Sequence, residues 1–219
     1  ETLSWYVQGD WDAELLGKRV RGNVGLRGHS TDTHSTGWIQ GDSYAYLGTT
    51  DVEGSYSGVL PALNTVVELT PETLLRFSVT QNLNRPGLSS MAAEGSAFQN
   101  SDTGEITASR GNPNLKPEVA NTLTAGIVLN PASGLNISLD YYKIKLKDAI
   151  YTVGQNIVLQ RCNDGEAAFC EQVKFDAPGG VLSEIRIYPR NLSSQEVSGI
   201  DFQADWRMPL FAGTLSSRL

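Results

Sequence analysis

The connectors of this chain alternate in length, short then long, and that alternation constrains the fold more than any single segment does. Short connectors fall at 15–18, 70–73, 130–134 and 209–213. Each is a few residues containing Gly, Pro or Asn, as a hairpin turn requires. Long connectors run over roughly 28–55, 84–118 and 148–191. A compact domain rarely carries loops of this length without structure of their own. A membrane-spanning β-barrel has the asymmetry built in, with short turns on one side of the bilayer and long loops on the other.

The segments between the connectors repeat with a period of two, the mark of a strand with one apolar and one polar face. The clearest is Ile200, Phe202, Ala204, Trp206 and Met208 against Asp201, Gln203, Asp205 and Arg207. The same alternation sets Leu75, Phe77 and Val79 against Arg76 and Ser78, and Leu135, Ile137, Leu139 and Tyr141 against Asn136, Ser138 and Asp140. Eight strands are predicted, near 3–14, 19–29, 55–69, 74–83, 119–129, 135–147, 193–208 and 214–219. Several have the ~9–11 residues that a tilted strand needs to cross the hydrocarbon. Segment 36–47 can be read as an extra hairpin arm or as plain loop.

Composition narrows the choice. The formal charge of −7 over 219 residues argues against nucleic-acid binding. No run of ~18 apolar residues exists, so a transmembrane helix is excluded while a membrane β-barrel is not. The expected fold is all-β: an antiparallel up-and-down transmembrane β-barrel, here an incomplete arc of about eight strands. Residues 1–219 are expected to form part of a single barrel domain. The chain opens at Glu1 without leader or initiator methionine and closes inside a strand-like Thr214 to Leu219, so it reads as a fragment. A boundary placed in a disordered tail would look similar. Trp11 and Trp206 sit on apolar faces shortly before short turns, where an aromatic girdle belongs. Trp5 lies ~20 Å further along its strand, which places it toward mid-bilayer.

A set of short motifs then appears in order. It comprises Leu60-Pro61-Ala62-Leu63-Asn64, Leu75 to Gln81, Asn84-Arg85-Pro86, Gly111-Asn112-Pro113-Asn114-Leu115-Lys116-Pro117-Glu118, Asp140-Tyr141-Tyr142-Lys143-Ile144 and Gly199-Ile200-Asp201. Together they resemble the barrel domain of TonB-dependent outer-membrane receptors, over most of the chain from about Leu60 to Arg207. The stretch from Gly111 to Glu118 is the most specific part. The resemblance implies a bacterial outer-membrane importer with a plugged barrel. Its ligand would be a scarce small nutrient such as a ferric siderophore, cobalamin or a carbohydrate. Its partners would be the lipid bilayer, its own plug domain and TonB. Plug, TonB-binding region and C-terminal strands are not in this sequence. Locally, Asn112-Pro113 favours an extended or turn conformation and Pro117 can open a strand, so the motif reads as a loop descending into the strand near Val119.

In a barrel, Asp10, Asp12, Arg21, Arg27, Arg76, Asp140, Asp201, Asp205 and Arg207 would line the lumen; in a soluble sheet they would be a solvated face. Nothing marks any carboxylate pair as acid and base. Cys162 and Cys170, in an envelope protein, suggest a disulfide closing a short loop in the third long connector, worth about 2–3 kcal/mol on the entropic account. A metal pair is the alternative, with no other nearby Cys or His. His29 and His34 lie in or near the first long connector, where they could touch a metal chelate or be ordinary surface histidines of a polar loop. Ser89 and Ser90 lack a nucleophile elbow or a partnered His. No catalytic residue, metal site, cofactor or nucleic-acid partner is expected. Asn136-Ile137-Ser138 and Asn191-Leu192-Ser193 are glycosylation sequons in form only. The rivals are a complete small eight-stranded outer-membrane barrel with a structural or adhesive role, an outer-membrane enzyme and a soluble β-sandwich. The first requires strand 214–219 to pair with strand 3–14.

Overall fold

A computed structural model of the chain describes residues 1–41, 45–176 and 182–219. Seven long strands and a short last one form an antiparallel meander: β1 (Thr2–Leu15), β2 (Lys18–Gln40), β3 (Tyr46–Thr70), β4 (Thr73–Asn84), β7 (Glu118–Ala132), β8 (Leu135–Thr152), β11 (Pro189–Leu210) and β12 (Gly213–Arg218). All eight predicted strands are present. Among the described residues β1 pairs only with β2 and β12 only with β11, so the sheet is open there and the pairing that a complete small barrel requires is not made. The turns at the short-connector end use residues with positive φ, among them Leu16 (φ 53), Gly17 (φ 70) and Gly134 (φ 77), as the tightest hairpins demand.

The long connectors are not loops. Over 28–55, β2 and β3 continue as a hairpin arm, paired from Thr31↔Tyr56 up to Gln40↔Tyr46. Residues 42–44 of the suggested arm lie outside the described residues. The alternation gives no warning of this extension, because Thr31, Asp32, Thr33, His34, Ser35 and Thr36 are polar on both faces. A strand with water on both sides loses the apolar beat that identifies it.

The second and third connectors build a cap. The second contributes α1 (Leu88–Met91), β5 (Gly95–Gln99) and β6 (Ile106–Arg110). The third contributes α2 (Gln155–Asn163), α3 (Ala167–Cys170), β9 (Val173–Phe175) and β10 (Leu182–Ile187). β10 runs parallel to β6, joining the two connectors in one small sheet, β5-β6-β10-β9. β5 in turn pairs in parallel with the arm at Ile39↔Gly95. The cap has its own core: Val158, Val173 and Ile185 are buried, with Leu159, Phe169 and Leu182 packed around them. No such cluster holds the described residues of the eight-stranded wall, whose apolar side chains lie on one open face.

Candidate functional site

Antiparallel partners share a face, so the registers place every charged position proposed for the lumen on one side of the wall. Asp12 faces Arg21, Asp140 faces Asp201, and Asp10, Arg27, Arg76, Asp205 and Arg207 follow at even offsets. The opposite side carries Trp5, Val24, Leu75, Phe77, Leu139, Ile200 and Trp206.

On the polar side, charges pair across strands. Arg19 meets Asp12 at 2.5 Å, Arg21 meets Glu68 at 3.2 Å, and Arg218 meets Asp205 at 2.5 Å. The pair Arg76–Asp140 spans an entire strand, since Arg76 is on β4 and Asp140 on β8, with β7 between. The strand beneath carries Gly126. A Cβ there would stand 1.9 Å from Asp140 Oδ1, so only glycine lets the bridge cross. The apolar side uses the same device. The Trp11 ring covers Gly22 and the Trp5 ring covers Gly28, each occupying the space of a missing side chain.

The Gly111–Glu118 motif sits where cap and wall meet, and its residues work as a clasp. Asn112 Nδ2 donates to Pro189 O (3.0 Å). Lys116 N donates to Asn191 Oδ1 (2.9 Å), and Asn191 Nδ2 donates back to Lys116 O (2.9 Å). Asn191 Nδ2 also donates to the carbonyl of Asp148, a residue at φ 56 beside an irregularity in the β8–β11 register. Glu118 accepts from Asn84 Nδ2 and from Ile150 N, both at 2.8 Å, tying the ends of β4, β7 and β8 together. Leu115 and Pro117 are buried, while Asn114 and Lys116 are exposed. Gly111 lies against Ala92, where a Cβ would meet backbone at 2.4 Å, and Pro113 crosses Gly54 of the arm at 2.2 Å from the equivalent point. Asn191 is a structural residue that its sequon form conceals. Its long-range bonds, to residues 75 and 43 positions away, leave no local signal.

Among the described residues, openings lie between cap and arm, two of which bring side chains of both together. One, of about 490 Å³, is bounded by Trp38, Gln40, Ser90, Glu94, Ser96 and Arg110. The other, of about 480 Å³, is bounded by Thr31, His34, Tyr56, Arg85, Met91 and Pro113. Arg85 and Pro86 of the motif set thus border the second opening. These linings offer hydrogen-bond donors, a guanidinium and aromatic faces, a set suited to holding a polar ligand. His34 is beside Asp51, Nε2 to Oδ1 2.8 Å. Hydrogen bonds from Thr36 and then His34 hold the Asp51 carboxyl below the usual carboxylate range. Among the described residues no group of three or more His, Cys, Asp or Glu could hold a metal ion.

Cys162 and Cys170 are bonded to each other, joining α2 to α3. Arg190 stacks between Phe169 (5.7 Å) and Tyr188 (5.9 Å) and donates to Ala168 O (2.6 Å). The buried Gln172 donates to Arg186 O (2.8 Å) and accepts from Arg190 (3.0 Å). The bonded helices are thereby fixed to β10 and to the start of β11.

Comparison with known proteins places this geometry. The family model described as TonB dependent receptor-like, beta-barrel matches residues 1–218. No curated protein matches the chain. Among solved structures, the hemophore receptor HasR of Serratia marcescens, as a double mutant with its hemophore and heme, aligns with a TM-score of 0.56 at 14% identity. The match covers 94% of this chain and 31% of that one. A mutant ferric enterobactin receptor of Pseudomonas aeruginosa, in complex with enterobactin, aligns with a TM-score of 0.54 at 14% identity. That match covers 99% of this chain and 35% of the receptor. The chain therefore spans about a third of the length of the solved receptors it matches, and at this identity the likeness is one of fold.

Proposed function

The chain belongs to the TonB-dependent receptor β-barrel family, and from that premise we propose that it supplies wall and surface cap to a receptor that imports an iron chelate, a ferric siderophore or heme, into bacteria. The family's barrels sit in the outer membrane. The carrying observation is the one-sidedness of the molecule. One face of the wall is apolar and the other charged, and all elaboration lies at a single end. In lipid every backbone group must be paired within the sheet, so a wall of this kind belongs to a closed barrel.

Under this reading the bilayer covers the apolar face. The charged face lines the lumen, where Asp10, Asp12, Arg21, Arg27, Arg76, Asp140, Asp201, Asp205 and Arg207 meet water and the plug. Mixed signs, largely paired across strands, suit a wall that holds a plug better than a pore selecting one ion. The cap meets the ligand outside. The choice of an iron chelate is supported by the ligands named for the solved receptors of the same fold, which include heme and enterobactin. The role is transport, with TonB coupling the plug to the energised inner membrane.

The test is uptake of radio-iron by cells whose own copy of the full receptor is deleted and then restored. Iron would be supplied as a catecholate siderophore, a hydroxamate siderophore or heme. Import of one source should depend on the receptor and stop when a protonophore collapses the proton gradient. Receptor dependence for none of the three overturns the ligand class, and uptake indifferent to the protonophore overturns energy coupling.

A further inference from the structure

The arm leaves one strand edge without a neighbour. β3 pairs with β2 from Glu68 up to Tyr46, but with β4 only from Thr70 up to Ala62. The second ladder stops where Pro61 enters, a residue with no N–H to give. β4 ends at Asn84, and the chain then turns to the inward side of the arm, where Arg85, Pro86 and Met91 share an opening with Thr31 and Tyr56. Pro113 crosses that same side at Gly54. Among the described residues no strand takes the place of β4 beside β3 over 47–59.

An open strand edge presents a row of N–H and C=O groups to any extended chain that approaches it. Here the odd-numbered side chains, on the face opposite Tyr56, run from Leu47 through Asp51 and Glu53 to Val59, and all are exposed. The edge is also acidic. Residues 28–58 include Asp32, Asp42, Asp51 and Glu53 and not one Lys or Arg. Asp51 accepts from Thr36 Oγ1 at 2.9 Å and lies beside His34. The Glu53 carboxylate has no partner among the described residues. A second copy of the chain laid antiparallel on this edge would set acid against acid, which disfavours self-pairing. A basic strand would meet both carboxylates.

We propose that the outer edge of β3 over 47–59 is a docking site for a partner polypeptide, which adds to the arm as an extended strand with alternate Lys or Arg side chains on Asp51 and Glu53. Backbone hydrogen bonds supply the affinity and the alternating side chains the selectivity. Carboxylates that merely guarded the edge against aggregation would attract a basic peptide by charge alone, whatever its spacing or backbone. The site rests on the reading above only in placing the arm outside the cell. Its test is binding, so failed iron uptake leaves it standing.

The test uses the purified full-length receptor in detergent, first checked for the heat-modifiable migration of a folded barrel. The probe is a capped, fluorescently labelled decapeptide of alternating Thr and Lys, followed by anisotropy at low salt. One control has the same composition with its lysines in a single block. The other is the alternating peptide N-methylated at two successive central residues, which removes hydrogen bonding from both of its edges. The alternating peptide should bind about fivefold tighter than either control and slow amide exchange within 47–59. Asp51→Asn/Glu53→Gln, altered only at exposed side chains, should weaken it about fivefold. Should that variant not fold, the peptide comparison on the native receptor still decides. No binding, or equal binding of either control, overturns the proposal. So does protection confined to other segments, or a double variant that binds as well as the native receptor. Slow exchange of every amide in 47–59 before peptide is added would show the edge covered by the receptor's own chain, and would overturn it too.

Discussion

Ile185 in the cap is completely buried, while Phe202 and Ile200 in the wall leave 54% and 69% of their surface exposed. The two regions answer different solvents. The cap stands in water, so it needs an interior, and it builds one from Val158, Val173 and Ile185 beneath two disulfide-linked helices. The wall needs none on its apolar face if lipid covers it. Its order comes from continuous backbone pairing, from ion pairs between strands and from rings laid over glycines. Core truncation should therefore injure the cap and spare the wall, whereas damage to cross-strand fit should do the reverse.

The largest effect is expected from Ile185→Ala. Removing a fully buried branched side chain costs about 2–5 kcal/mol at the site. Amide exchange and protease cleavage should rise across 155–187 in the full receptor, while amides of β7 stay protected. Phe202→Ala, made on the open face, should leave both regions as they were. Equal loosening of β7 by Ile185→Ala would show that cap and wall unfold as one unit, and the contrast would fail. Next in size is Cys162→Ser/Cys170→Ser, expected to cost the cap about 2–3 kcal/mol by freeing its short loop. It is read by the same protease assay, in which cleavage outside the cap would count against the division.

Gly126→Ala is the counterpart in the wall. Its Cβ would force Asp140 away from Arg76, since no strand side chain fits beneath that bridge. Overpacking of this kind costs about 1–3 kcal/mol. The temperature at which heat-modifiable migration is lost should fall, with cap proteolysis unchanged. In an Arg76→Met background, with the bridge already gone, the same substitution should cost clearly less. An undiminished cost would show that Gly126 serves the backbone rather than the bridge.

These contrasts also explain what the sequence made legible. The wall was readable because period two needs no partner: Ile200 to Met208 declares its own two faces, and with them the side on which Asp201, Asp205 and Arg207 fall. The motif from Gly111 to Glu118 was readable as a marker of family, but not as a clasp, because its partners Pro189 and Asn191 lie in the other long connector. The cap carries no such period and has the sequence of a loop. Val158 and Ile185 belong to no repeating pattern, and the parallel pairing of β6 with β10 joins segments of two different connectors. Gly126 was equally silent, since its role depends on the register of three strands at once.

The smallest effect concerns the charges of the cap. Glu184 on β10 accepts from Arg186 Nε and from Lys174 Nζ, both at 2.7 Å. The bond from Arg186, then that from Lys174, holds its carboxyl below the ordinary range against the opposing pull of burial. A carboxylate held low in the folded state contributes fully above its unfolded pKa, about 4.3. That contribution disappears as pH falls through the lower folded value, and it has no counterpart on the alkaline side. The cap should loosen slightly on acidification below about pH 4.3, by less than about 1 kcal/mol because the pair is partly exposed. The readout is amide exchange of Val173–Phe175 and Leu182–Ile187, corrected for intrinsic rates and referred to β7. Glu184→Gln should start looser at neutral pH and show a flatter profile. A native profile with no acid limb, or one reproduced unchanged by Glu184→Gln, would remove Glu184 from the groups that hold the two strands together.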